Sequence, residues 1–232
     1  MKTLLIPAAL VAGVLVAGLA AAQEEVAMYP ELASYIDARI AEFEQIPAER
    51  RTQLAGLAEY VTACGTTGKP ARLTFICTHN SRRSHMAQLW AAVAAARYGV
   101  GGVETFSGGT EATAFNPRAV AAMRRAGLEI VGPEAEPNPR YEVRLAAGAT
   151  PMACFSKVYD QSPNPAEGFC AVMTCSHADE NCPVVSGADQ RLVIEYKDPK
   201  AADDTPREAA TYDERSAQIA REMLYAFAQV KK

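Results

Sequence analysis

Strands alternating with helices from Ala71 onward predict an α/β fold: a four-stranded, mostly parallel sheet with helices on both faces. Two further observations complete the outline. A helical extension precedes the alternation, and the polar loop after the first strand holds the residues richest in chemistry. In sheets of this class ligands gather beyond the carboxyl ends of the strands, which is where that loop lies.

The chain has 232 residues and opens MKTLLIPAALVAGVLVAGLAAAQEE. Lys2, the apolar run Leu4 to Leu19 and the small residues Ala20 to Ala22 predict an export signal over residues 1–22, with an uncleaved membrane anchor as the alternative. Either places the remainder outside the cytoplasm, in the periplasm or beyond. Residues 23–69 are expected to form the helical extension. Leu32, Ile36, Ile40 and Phe43 keep one stripe, and Pro47 opens a second helix carrying Leu54, Leu57 and Val61. Gly65 to Pro70 reads as a linker into the main domain, residues 70–232.

Leu73 to Ile76 is the first expected strand, followed by a helix from about Ser84 to Tyr98 and a second strand, Val103 to Ser107. Asn116-Pro117 starts a helix that carries Val120 and Met123 and stops at Gly127. Residues 133–168, rich in Pro and polar groups, read as an irregular excursion. Phe169 to Thr174 and Leu192 to Tyr196 complete the sheet. Thr211-Tyr-Asp-Glu214 reads as the capping box of a last helix bearing Ile219, Met223, Phe227 and Val230.

Apolar residues make up 49% of the chain and charged residues 22%, a globular composition. A net charge of −4 supplies no field for nucleic acid or an anionic membrane, so no nucleic-acid partner is expected. Any anion must be caught by a local device. A monomer is expected.

That device is Cys77-Thr-His-Asn-Ser-Arg-Arg83-Ser84. A cysteine becomes a nucleophile as its thiolate. Here a helix N-terminus offers free N–H groups, Arg83 adds a fixed cation and the Ser84 hydroxyl can donate to sulfur. The N–H groups of Thr78, His79, Asn80, Ser81, Arg82 and Arg83, with the Arg83 fork, suit a tetrahedral oxyanion. The Arg82 side chain is expected in solvent, and His79 and His85 at the surface.

The stretch TFICTHNSRRSHMAQLW, continued by Ser107 to Val120 and by Tyr196-Lys-Asp198-Pro199, resembles the low-molecular-weight protein tyrosine phosphatases and the arsenate reductases built on the same fold. The resemblance implies Cys77 as nucleophile and Asp198 as general acid. From position alone Asp198 could equally be a turn residue. In Cys175-Ser-His-Ala-Asp-Glu-Asn-Cys182-Pro the chain resembles the redox segment of the thioredoxin-coupled reductases. There Cys77 forms an arsenate adduct, Cys175 attacks the Cys77 sulfur, and Cys182 attacks Cys175 to present a disulfide to a thioredoxin-like reductant. A phosphatase needs neither thiol. Other readings of Cys175 and Cys182 are a structural disulfide or, with His177 or Asp179, a zinc site.

Two positions depart from the family pattern. Arg82 stands where the reductases often carry another cysteine. Gln88 stands where a potassium-linked glutamate is often found, which argues against a potassium ion near Asn80 and Ser107; no other cofactor is expected. Cys64, Cys154 and Cys170 carry no motif and read as core or structural thiols. The favoured activity is arsenate reduction. The alternatives are a phosphatase acting on phosphotyrosine or small phosphate esters, and an idle anion-binding protein.

Overall fold

The computed structural model describes residues 27–133, 136–181 and 184–231. The expected export signal and Cys182 lie outside the described residues. Among the described residues no helix is long and apolar enough to cross a membrane.

Pro30 opens helix α1, Pro30–Ile40, whose Leu32 and Ile36 are fully buried one turn apart. A 3-10 turn, Phe43–Gln45, leads to α2, Ala48–Thr66, with Pro47 at its N-cap. Leu32 and Ile36 of α1 and Leu54, Leu57 and Val61 of α2 join the main core. An ion pair between Arg50 and Glu222 at 2.8 Å, with Glu222 almost fully buried, helps fix that packing.

Strand β1, Ala71–Cys77, is followed by α3, Arg83–Arg97, and β2, Val103–Gly109. Then come α4, Pro117–Arg125, and three short strands: β3, Glu129–Val131, β4, Tyr141–Arg144, and β5, Met152–Cys154. The chain closes with β6, Phe169–Met173, α5, Ser176–Asn181, β7, Ala188–Val193, a 3-10 turn Pro199–Ala202, and α6, Glu208–Ala228. The main sheet has the order β2-β1-β6-β7 with every pairing parallel.

Strand side chains alternate between two faces. Leu73, Phe75, Cys170 and Val172 meet α2, α3, α4 and α6 in the larger core. Ile76, Phe169, Ala171 and Met173 meet Ala178 of α5, Val185 and Tyr159 on the other face. Helix α3 lies in the middle of the larger core. Its Trp90 is fully buried, stacks on Tyr35 with centroids 5.3 Å apart and donates to Ser216 Oγ at 3.0 Å. Truncating such a side chain costs about 3–5 kcal/mol.

Three local expectations are revised. The excursion contains β4 and β5, which pair antiparallel with β3 into a second sheet. The fourth strand of the main sheet begins earlier, at Ala188; the amides of Ile194 and Tyr196 still bond to Met173 and Thr174 after it. Helix α6 begins at Glu208, so Thr211 is interior and its hydroxyl donates back to the Arg207 carbonyl at 2.9 Å.

Candidate active site

Strands β1 and β2 end side by side, Cys77 opposite Gly109, and the chain after Gly109 anchors the Cys77–Ser84 loop from outside. Thr110 N–H donates to the Cys77 carbonyl, Glu111 N–H to that of Thr78, and Asn116 N–H to that of Ser81. The His79 carbonyl accepts from the hydroxyls of Thr113 at 3.0 Å and Ser156 at 3.1 Å. With these carbonyls held outward, no amide of residues 78–84 donates to a backbone carbonyl among the described residues. Converging unpaired amides at a helix start form an anion-binding concavity. The crossing is tight: a Cβ on Gly109 would stand 2.6 Å from Thr78 O and 2.7 Å from Asn80 N.

Asn80 turns the loop. Its φ of 44° is left-handed, a conformation that asparagine tolerates better than most residues. Its side chain then determines a chain of polarities. The Lys157 amide can only donate, so the Asn80 atom 2.9 Å from it is Oδ1. The other atom is therefore Nδ2, which donates to Ser84 Oγ at 2.9 Å. Ser84 thus accepts from Asn80 and has its own proton left for Cys77 Sγ, 3.1 Å away. A hydroxyl donating to sulfur favours the thiolate.

Arg83 and Asp198 lie together beside this cradle. Arg83 Nη2 is 2.8 Å from Asp198 Oδ2, and Nη1 donates to the Tyr196 carbonyl at 3.2 Å. Asp198 also caps the 3-10 turn by accepting from Lys200 N–H at 3.0 Å. Both the turn role and the site position that the sequence left open are thus occupied by one carboxylate.

Cys175, 2% exposed, follows β6 and caps α5, with Ala178 N–H 3.4 Å from its sulfur. Thr78 of the loop brings it to the cradle: Thr78 Oγ1 lies 3.6 Å from Cys175 Sγ and 3.2 Å from His177 Nδ1. Asp179, on the same short helix, pairs with Arg191 of β7.

Other expected site residues are placed differently. The Arg82 side chain is neither solvated nor in the cradle: it donates to Tyr212 Oη at 2.7 Å and pairs with Asp203 at 3.1 Å. Its backbone N–H is what it can offer an anion. His79 is at the surface as expected, paired with Glu111 at 2.9 Å. His85, expected at the surface, is fully buried; it stacks on Phe115 and its Nδ1 lies 3.1 Å from Ser107 Oγ. Burial and the nearby Lys157 charge hold its pKa well below the usual imidazole value. Helix α3 is enclosed on almost every side, so no polar stripe marked His85 as inside.

Ser156 and Lys157, in the excursion, were not foreseen. Phe155-Ser-Lys-Val158 has no two-residue alternation to mark it, and a parallel bridge joins Val158 to Gly109. Lys157 is 4% exposed; its ammonium bonds the Phe155 carbonyl at 3.3 Å and sits over that ring. Burial lowers its pKa to about 8. Around the position expected for potassium, Asn80 Oδ1 accepts from the Lys157 amide, Ser107 Oγ is engaged with His85, and Gln88 Nε2 donates to Thr105 O at 3.1 Å while its Oε1 is buried without a hydrogen-bond partner. Among the described residues no cluster of His, Cys, Asp and Glu could hold a metal ion. Burial pushes Cys154 and Cys170 up to about 12, which keeps both as inert thiols.

Comparison with known proteins gives a consistent set. Residues 72–144 match the family model described as low molecular weight phosphotyrosine protein phosphatase. An arsenate reductase of Brevibacillus brevis is 30% identical over 145 residues, 62% of this chain and 88% of the relative. An arsenate reductase 2 of Staphylococcus haemolyticus is 32% identical over 113 residues, 48% of this chain and 65% of the relative. Among solved structures, a low molecular weight phosphotyrosine phosphatase of Vibrio cholerae aligns with a TM-score of 0.45 and 13% identity, over 68% of this chain and 94% of that one.

Proposed function

The chain belongs to the low molecular weight phosphotyrosine protein phosphatase superfamily, on its arsenate reductase branch, and we propose that it reduces arsenate to arsenite with electrons from its own thiols. Cys77 attacks arsenate held by the loop amides and the Arg83 fork, and Asp198 protonates the departing oxygen. Cys175 then attacks the Cys77 sulfur. A sulfur–sulfur bond forms, the sulfur–arsenic bond breaks, and its electron pair stays on arsenic as arsenite. Cys182 attacks Cys175 next, freeing Cys77, and the Cys175–Cys182 disulfide is reduced by a thioredoxin-type dithiol.

The observation that carries this reading is the Cys175 thiol, buried against Thr78 of the oxyanion loop. Hydrolysis of a phosphocysteine requires water and no second thiol. On this reading residues 70–232 are the catalytic domain and 23–69 its helical extension. Residues 1–22 direct export, and the dithiol donor works in the same outer compartment.

The test is arsenite release by residues 23–232 with arsenate and reduced thioredoxin. Cys77→Ser abolishes it and Cys175→Ser stops release after the adduct forms. Cys182→Ser gives about one turnover and traps a Cys77–Cys175 disulfide, visible by mass mapping. If both Cys175→Ser and Cys182→Ser sustain multiple turnover at the original rate, the relay is wrong and phosphoester hydrolysis becomes the better reading.

A further inference from the structure

A buried thiol that must attack as a thiolate needs somewhere to send its proton. Cys175 is 2% exposed, so no base from solvent reaches it directly, and a thiol attacks only as its thiolate. The Ala178 N–H at 3.4 Å can stabilise the thiolate once formed but cannot accept a proton. Among the described residues the other polar contact is the Thr78 hydroxyl at 3.6 Å, which lies 3.2 Å from His177 Nδ1 in turn. His177 itself is exposed. Three groups therefore run in sequence from a buried sulfur to the surface.

We propose that Thr78 and His177 form the proton exit for the Cys175 thiol, with His177 the terminal acceptor. The donor and acceptor roles are consistent throughout. A threonine hydroxyl has one proton and two lone pairs, so it can accept from the Cys175 S–H while donating to a ring nitrogen. That assigns neutral His177 the tautomer protonated on Nε2, with Nδ1 as acceptor. When the thiol proton passes to Thr78 Oγ1, the hydroxyl proton passes to Nδ1. The products are a Cys175 thiolate, an unchanged threonine and an imidazolium whose proton leaves to solvent. The thiolate then attacks the Cys77 sulfur of the arsenate adduct: the disulfide forms, the sulfur–arsenic bond breaks, two sulfurs are oxidised by one electron each, and arsenic gains two. The inference rests on the reductase reading above and names the residue that controls its second step. His177 acts through Thr78, so it is a positioning and relay residue.

The ionisable groups on the elements packed here are these: Asp179 of α5 pairs with Arg191 of β7, Glu180 of α5 is exposed, and Tyr159 packs against the cluster that holds Cys77 and Cys175. Around the loop, Arg83 pairs with Asp198 and His79 with Glu111. Cys77 is the reaction partner itself.

The experiment is single-turnover arsenite release by fully reduced residues 23–232, followed from pH 5.5 to 9.5 by rapid quench. In the original protein the rate of Cys77–Cys175 disulfide formation should already be close to its maximum at pH 7. His177→Gln keeps a side chain able to bond Thr78 but cannot accept a proton at these pH values. It should lower the rate at pH 7 by at least about tenfold and converge with the original above pH 9, where hydroxide can replace the lost acceptor. Added imidazole should restore part of the rate to His177→Ala. An unchanged profile in His177→Gln overturns the exit, because a purely structural His177 predicts that result. Cys175→Ser separates the two levels of inference. If it blocks arsenite release while His177→Gln keeps the original profile, the proton exit alone fails. If Cys175→Ser still turns over, the reductase relay fails with it.

Discussion

Arg83 Nη2 and Asp198 Oδ2 are 2.8 Å apart beside the Cys77 loop, so the cation proposed to hold the oxyanion is paired with the carboxylate proposed to protonate the departing oxygen. An incoming dianion competes for that cation and is repelled by the ionised carboxylate. Asp198→Asn should therefore bind phosphate or arsenate severalfold more tightly at pH 7, on the order of 1 kcal/mol. The same change should slow turnover by roughly 10²–10⁴, since no proton is delivered. Competition binding with inorganic phosphate checks the first half; weaker binding in Asp198→Asn contradicts this account of the pair.

Asn80 transmits the Lys157 amide to the nucleophile through Ser84, as the polarity of each bond requires. Asn80→Asp preserves shape but removes the donor. Ser84 must then give its proton to the new carboxylate, leaving the Cys77 sulfur without a partner. Alkylation of Cys77 by iodoacetamide at pH 7 should slow by about tenfold, the effect of losing one hydrogen bond to a charged group. An unchanged alkylation rate shows that the Ser84 bond does not support the thiolate.

His85 is buried and neutral, with its pKa held well below the usual imidazole value by burial first and the Lys157 charge second. The unfolded chain takes up a proton near pH 6.5 and the native protein does not. Stability from this group is thus complete above pH 6.5 and declines as pH falls towards the folded pKa, by about 1.4 kcal/mol per pH unit. Urea unfolding of the original protein and His85→Asn between pH 4.5 and 8 should show the difference between them shrinking in acid. A constant difference means that His85 is protonated in the native state.

Lys157 has the opposite history. Burial lowers it from the usual value near 10.5 to about 8, so the native state pays to keep the ammonium below pH 8. The penalty is relieved between about pH 8 and 10.5, where only the unfolded chain is still protonated. Lys157→Met should be more stable than the original at pH 7, by up to about 3 kcal/mol, and the gain should fade above pH 10. Thermal unfolding across that range measures it. The backbone bonds of residue 157 to Asn80 and Gly109 remain in the variant.

The main sheet and the Cys77 loop were legible because local signals agreed there. A run of apolar residues, a polar loop and a helical stripe follow one another within 30 residues, from Ala71 to Val100. The excursion was not legible for the opposite reason. Strands β4 and β5 have four and three residues, too short for any period to show, and their partner β3 lies beyond the predicted boundary. His85 was misplaced because a helix enclosed by the sheet and α6 has almost no solvent face to reveal inside and outside. The capping box at Thr211 was a false start, since the pattern is equally compatible with a helix already under way, and α6 had begun at Glu208. The Cys175 neighbourhood could be inferred only through resemblance: Thr78 and Cys175 are 97 positions apart, and no spacing rule links them.

The Lys157–Asn80 bond joins positions 77 residues apart, and the Ser156–His79 bond spans the same distance. During folding, β1 and α3 can form from neighbouring sequence, whereas these two bonds wait for the second sheet to dock. Until then Asn80 is free to leave its left-handed turn and Ser84 has no fixed proton for sulfur. Cys77 in a nascent or half-folded chain is consequently an ordinary thiol, and its reactivity is acquired late. On the function proposed above, a chain with six cysteines would gain protection from that order of events, because its nucleophile is armed only once the second sheet has docked.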